Sequence, residues 1–170
     1  MIIRMNLDPS ILKKIQKIKL VCFDCEGVLT LKYRNHLPEF SKNPVCKLDQ
    51  QGLLLLLNNN IDVAIISAGK SDLLKNIFID IGIKYIYLGS RNKLEAYEEL
   101  KLILNISDEY CCHIGDGDLD IPVLEKVEFA VTVPEAADNI KTLSDYCTIR
   151  SGGLGAVEEL CQLIVDAKNK

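Results

Sequence analysis

The sequence predicts an α/β fold built on a doubly wound parallel sheet. Three observations predict it. Apolar runs of strand length alternate with helical segments along the chain. Several of those runs stop at a carboxylate, a hydroxyl or a glycine-rich turn, as strands do at the ligand-binding edge of an open α/β sheet. The 170 residues, 48% of them hydrophobic, suffice to bury one core, so the reading is a single domain over 1–170.

Taken in order, Asp8-Pro9 opens a short helix as cap and first-turn residue. Ile11, Leu12, Ile15 and Ile18 then share one face, which makes residues 1–18 an extra N-terminal helix docked on the body. The first strand runs from about Lys19 to Phe23. After Gly27, Leu29, Leu31 and Tyr33 alternate with Val28, Thr30 and Lys32, and breakers follow at Arg34-Asn35-His36 and Lys42-Asn43-Pro44. This period of two predicts a β-hairpin flap over about 28–47. A lone hairpin with an apolar face is marginal in water, and a second copy of the chain would cover it.

A buried helix follows over Gln50–Asn58, then a strand at Val63–Ile66 that stops at Ser67-Ala68-Gly69-Lys70-Ser71. The next helix spans Ser71–Ile81 and ends at Gly82. Tyr85–Leu88 is a strand, Arg91–Leu104 a helix, and Cys111–Ile114 a strand that stops at Gly115-Asp116-Gly117-Asp118-Leu119-Asp120. Short strands at Glu128–Val133 and Tyr146–Ile149 precede a closing helix at Gly155–Ala167.

The formal charge of −4, without a dense basic cluster, excludes a nucleic-acid surface. The longest apolar stretch, around Leu53–Leu57, is too short to span a membrane, and the lysine-rich N-terminal region reads as neither signal peptide nor anchor. Seven cysteines fit reduced thiols in a cytoplasmic protein. Cys22 and Cys25 have CxxC spacing, but Cys22 lies inside a strand pattern and no second ligand pair accompanies it, so buried packing is the expectation.

The strand ends carry the chemistry. Asp24 and Glu26 follow the first strand, two carboxylates with different surroundings that can split into nucleophile and proton donor. Ser67 and the amides beside it, Ala68 included, can hold phosphate oxygens. Lys93, at a helix start, can neutralise charge on a phosphoryl group. Asp24 and Asp116 together offer hard oxygen ligands to Mg²⁺. Because all these ends share one sheet edge, residues distant in sequence converge there.

On these motifs the chain resembles the haloacid dehalogenase superfamily, and within it the capless phosphatases of 3-deoxy-octulosonate 8-phosphate and nonulosonate sugar acids. Asp24-Cys25-Glu26-Gly27-Val28-Leu29-Thr30-Leu31 is similar to the family's DxDGVLTD. Ile66-Ser67-Ala68-Gly69-Lys70-Ser71, Asn92-Lys93-Leu94-Glu95-Ala96 and Gly115–Asp120 with Ile121-Pro122-Val123 resemble the next three motifs. Arg150-Ser151-Gly152-Gly153-Leu154-Gly155-Ala156-Val157-Glu158-Glu159 is similar to the subfamily's RPGGxGAVRE ending, and Asp49 with Gly52 to a DxxG after the flap.

The resemblance implies a Rossmann-like domain without a cap and a Mg²⁺-dependent phosphomonoesterase acting on a sugar-acid phosphate through an aspartyl-phosphate. It makes Asp24 the nucleophile and Glu26 the acid/base. It gives Mg²⁺ to Asp24, Asp116 and the backbone carbonyl of Glu26, phosphate to Ser67, Ala68 and Lys93, and supporting roles to Asp120, which would orient the metal's water shell, and Asp49. It further implies a homotetramer in which the flaps pack into a barrel and one subunit covers its neighbour's site. Three residues depart from the pattern: Glu26 and Leu31 stand where the family has aspartates, and Gly69 where it has Arg or Glu. These departures support an alternative, a weakly active or inactive domain kept for oligomerisation or regulation in sialic-acid-type sugar metabolism. A receiver-type signalling domain would need its phosphorylated acid on a later strand.

Overall fold

The computed structural model describes residues 7–32 and 43–169. Its strands are β1 (Leu20–Phe23), β2 (Asp62–Ser67), β3 (Tyr85–Leu88), β4 (Cys111–Ile114), β5 (Phe129–Thr132) and β6 (Tyr146–Cys147). Its helices are α1 (Pro9–Lys17), α2 (Lys47–Asn58), α3 (Asp72–Ile81), α4 (Lys93–Leu104), α5 (Ile121–Leu124), α6 (Asp138–Leu143) and α7 (Ala156–Lys168). The strands form one parallel sheet in the order β3-β2-β1-β4-β5-β6. This is the doubly wound Rossmann-like arrangement.

Every residue of β1, β4 and β5 is buried, as expected of parallel strands covered by helices on both faces. Helices α1, α2 and α7 pack together as one layer, and α4, α5 and α6 as the other. The core runs continuously through the sheet, from Ile15 and Ile18 at the N-terminal helix to Ile164 and Val165 in α7. The N-terminal helix is tied down by Lys14 Nζ on Asp145 (2.8 Å) and by Gln16 Nε2 donating to the Ala167 carbonyl (3.1 Å).

Helix boundaries follow their caps. Ser71 Oγ accepts from the Leu74 amide, and Asn92 Oδ1 from the Glu95 amide, so α3 and α4 start one residue after their caps. The helix expected at Gln50 begins earlier, at Lys47, and is half rather than fully buried: Leu53 and Leu56 face the core while Leu48 and Leu54 are exposed. The short α5 and α6 carry no periodic apolar stripe long enough to be read from sequence.

The hairpin expectation is corrected over its described start. Val28 and Leu29 lie in a turn and Thr30 makes only an isolated bridge to Glu26; the amides of all three donate to the Cys25 carbonyl, at 3.2, 2.9 and 2.9 Å. The three side chains are buried, so alternating hydrophobicity here reports a tight loop folded into the core. Of the rest of the expected flap, 33–42 lies outside the described residues, 43–46 form no strand, and Lys47 already opens α2.

Candidate active site

Strands β1, β2 and β4 stop side by side, and each hands a functional residue to the same edge. Asp24 follows β1, Ser67 ends β2, and Asp116 lies two residues past β4. Asp24, Ser67, Lys93, Asp116 and Asp120 are all buried, 6% exposed at most. One carboxylate oxygen each from Asp24, Asp116 and Asp120 lie within 4.8 Å of one another.

Two tight approaches shape this edge. Gly27 has φ +83°, and a Cβ there would strike Asp116 Oδ2 at 2.3 Å. The loop carrying Glu26 therefore closes onto Asp116 only with glycine at 27. A Cβ on Gly152 would meet the Gly27 carbonyl oxygen at 1.8 Å. The Gly153 amide donates to the Val28 carbonyl at 2.7 Å. The glycine-rich segment near the C-terminus thus clamps the loop that follows the nucleophile candidate.

Lys93 Nζ lies 2.7 Å from Asp24 Oδ1 and 2.7 Å from Asp120 Oδ1, so one ammonium bridges the two carboxylates. The Cys25 amide also donates to Asp24 Oδ1 at 2.7 Å. Asp120 Oδ1 accepts from Lys93 Nζ and lies 2.9 Å from His113 Nε2, while Oδ2 accepts from the Asp116 (3.2 Å) and Gly117 (3.1 Å) amides. Asp120 thus ties Lys93 to the 116–117 turn. Lys32 Nζ sits 2.9 Å from Asp116 Oδ2 on the solvent side.

The electrostatics follow from this crowding. Burial pushes the Asp24 carboxyl up to about 8, and the neighbouring Asp120 charge adds to it, outweighing the pull of Lys93. Burial would raise Asp120 as well, but the His113 bond and charge, together with Lys93, hold it well below the ordinary carboxylate range. Lys93 is raised despite its burial because Asp120 and Asp24 both favour its charged form. Two carboxylates a few ångströms apart are driven in opposite directions, as happens where acids take different roles.

Ser67 Oγ accepts from the Gly69 amide at 3.3 Å. The loop carrying Ser67, Ala68 and Gly69 is pinned to the loop after β3 by Gly89 N to Gly69 O (2.8 Å) and Ser90 N to Ser67 O (2.9 Å). Glu26 is exposed and turns toward this loop. A Cβ on Gly69 would meet Glu26 Oε1 at 3.5 Å and Ser67 Oγ at 3.7 Å.

Asp49 does not join the cluster. It is fully buried, accepts from the Gly155 (3.2 Å) and Glu158 (2.9 Å) amides and from Cys46 Sγ (3.0 Å), and so ties α2 to the start of α7. His113 and Lys32 belong to the site and carry no motif. A histidine within the otherwise apolar β4 is the one sequence signal that could have pointed to His113; nothing in the sequence marks Lys32. Cys22, Cys46, Cys111, Cys112, Cys147 and Cys161 are free thiols, and Cys22, Cys25, Cys111, Cys112 and Cys161 are buried.

The donor set of the acidic cluster is hard oxygen, which suits Mg²⁺. Its spread of at most 4.8 Å is near twice the roughly 2.1 Å Mg–O distance, and two ammonium groups already sit on Asp24 and Asp116. The residues present therefore fit a divalent cation held by Asp24 and Asp116. Fold and site together define a hydrolase built on a doubly wound parallel sheet, with an acidic phosphoryl-type centre at the strand ends.

The chain belongs to the haloacid dehalogenase-like hydrolase family, whose sequence model matches residues 70–157. It is 36% identical over 166 residues to the 3-deoxy-D-manno-octulosonate 8-phosphate phosphatase KdsC of Salmonella typhimurium, covering 96% of this chain and 88% of that protein. The crystal structure of the same phosphatase from Moraxella catarrhalis, in complex with magnesium, phosphate and KDO, superposes with a TM-score of 0.88 at 32% identity, covering 94% of this chain and 92% of that one. The Yersinia pestis phosphatase superposes with a TM-score of 0.86 at 31% identity, over 95% of this chain and 88% of that one.

Proposed function

We propose that this protein is a Mg²⁺-dependent phosphatase that hydrolyses a sugar-acid phosphate of the 3-deoxy-octulosonate 8-phosphate type, or its nonulosonate 9-phosphate analogue. The observation that carries the reading is the buried Asp24–Lys93–Asp120 arrangement beside Asp116. It gathers a nucleophile, a phosphate-neutralising ammonium and a cation site at one sheet edge. The likeness to the KdsC phosphatases over nearly the whole chain supports the substrate class.

Asp24, Asp116 and the Glu26 backbone carbonyl hold the metal in this reading. When bound, Mg²⁺ offsets carboxylate charge so that an anionic substrate can approach an anionic nucleophile. Ser67 Oγ, the Ala68 amide and Lys93 Nζ take the phosphoryl oxygens. The Asp24 carboxylate attacks phosphorus, the P–O bond to the sugar breaks, and Glu26 gives its proton to the leaving alkoxide. Glu26, now a carboxylate, takes a proton from water as that water attacks phosphorus. The acyl-phosphate bond breaks, and phosphate and free Asp24 are restored.

The departures at 26 and 69 fit one another: Gly69 leaves open the space that the longer Glu26 side chain faces. We assign the protein to the cytoplasm as a homotetramer. Unpaired thiols, one of them the exposed Cys147, support the former. The latter is supported by a cavity of about 420 Å³ beside Asp116, lined by Gly27, Leu31, Lys32, Glu135, Ser151 and the half-exposed Leu154, which a neighbouring subunit would cover. Light scattering tests the assembly: deleting Leu31–Val45 should convert tetramers to monomers, and an unchanged tetramer refutes the flap interface. Phosphate release from a panel of sugar-acid phosphates with and without Mg²⁺ tests the activity. Silence on every substrate would favour the scaffold alternative.

A further inference from the structure

His113 is fully buried in β4, beside the cluster but outside every motif. Its Nδ1 lies 3.1 Å from the Cys22 carbonyl oxygen and its Nε2 lies 2.9 Å from Asp120 Oδ1. A carbonyl only accepts, so Nδ1 carries a hydrogen. A neutral ring would then turn the Nε2 lone pair toward Asp120. Asp120 already takes three other donors, from Lys93, the Asp116 amide and the Gly117 amide, and has no hydrogen of its own to offer. Two lone pairs at 2.9 Å repel, so Nε2 also carries a hydrogen and the ring donates at both ends.

We propose that His113 is a positioning residue for the reaction: it spans from the β1 backbone to Asp120, fixes that carboxylate, and through it holds Lys93 against Asp24. The ring is anchored to Cys22, two residues before the nucleophile, so one side chain sets the Asp24–Lys93–Asp120 register from both sides. Asp120 Oδ1 is the shared acceptor of His113 and Lys93. Without the ring, that carboxylate can turn and carry the ammonium off Asp24. Partners that orient a site's reacting groups in this way are typically worth about 10–100-fold.

The inference rests on the phosphatase reading, and its test separates the two. The chain has two histidines, so a long-range ¹H–¹⁵N correlation spectrum of histidine-labelled protein at neutral pH, assigned with His36→Gln, reports both ring nitrogens of His113 directly. Hydrogens on Nδ1 and Nε2 are expected; an Nε2 without one overturns the proposal. In phosphate-release assays, His113→Phe should lower kcat about 10–100-fold with KM within twofold, and His113→Gln, which keeps a donor, should recover part of it. A His113→Phe kcat within twofold of wild type, or a loss confined to KM, overturns it. If His113→Phe does not fold, the wild-type spectrum and His113→Gln decide. Asp24→Asn is the control: if it retains activity, the phosphatase reading itself fails, whereas an inactive Asp24→Asn beside an unimpaired His113→Phe removes His113 alone.

Discussion

Lys32 Nζ rests 2.9 Å from Asp116 Oδ2, on the carboxylate assigned to the metal. An ammonium and a divalent cation cannot share that oxygen at full strength, so binding must displace or weaken this pair. Because Lys32 is about half exposed, water screens the pair and its worth is modest. Lys32→Met should bind Mg²⁺ about fivefold more tightly, the equivalent of ~1 kcal/mol. Calorimetric titration checks this, and weaker binding would show that Lys32 helps the site rather than competing for it.

Glu26 faces the open side of Gly69. Shortening it to aspartate withdraws the carboxyl by about 1 Å, a displacement that can cost roughly 100-fold. Glu26→Asp should therefore lower kcat at least tenfold while Mg²⁺ affinity holds. A rate at or above wild type would show that the pocket still prefers the family's aspartate. Gly69→Ala should be tolerated, since its added methyl meets Glu26 and Ser67 at ordinary contact distances.

Proton linkage should be visible in metal binding. The Asp24 carboxyl is raised to about 8 by burial and Asp120, against an ordinary value near 3.9. Between about pH 4 and 8 the folded, metal-free protein therefore holds a proton that the unfolded chain does not. Its stability should fall as pH rises through that window. Asp120, held low, acts oppositely, and its contribution is lost only as pH drops below the ordinary carboxylate range. A cation at Asp24 replaces the proton. Magnesium titrations in buffers of different ionisation heat should show proton release at pH 6.5 that vanishes near pH 9. No release at pH 6.5 would show that Asp24 is ionised before metal arrives.

Asp49 is a fold residue in this structure. Asp49→Ala strands the Gly155 and Glu158 amides and should cost about 2–3 kcal/mol, roughly 4–10 °C in melting temperature. The surviving folded fraction should keep its KM. A melting temperature unchanged within 1–2 °C would remove this clamp from the account.

How far the sequence carries is set by where the information lies. The β1, β3 and β4 spans, the Ser71 and Asn92 caps and the Gly82 stop are local signals, and the structure places them within a residue or so of expectation. Asp24, Ser67, Lys93 and Asp116 converge because parallel strands end on one edge, which periodicity alone implies. The 25–30 loop was illegible because its alternation mimics a strand. What folds it is three amides on one carbonyl and the Gly152–Gly153 segment lying across it, a contact more than 120 residues away in the chain. His113 was hidden for a related reason. In an apolar strand a histidine reads as core until the polar atoms its two ring nitrogens meet are known.

The central claim is that Asp24 takes the phosphoryl group with the help of Asp116-bound magnesium. Rapid acid quench of the enzyme with 3-deoxy-octulosonate 8-phosphate and Mg²⁺, followed by peptide mapping, tests it most directly. The account predicts phosphate on the Asp24 peptide, absent without Mg²⁺ and in Asp24→Asn, whose turnover should fall by more than about 10³-fold. Phosphate release at the wild-type rate from Asp24→Asn, or turnover with no modified Asp24 peptide, would contradict it.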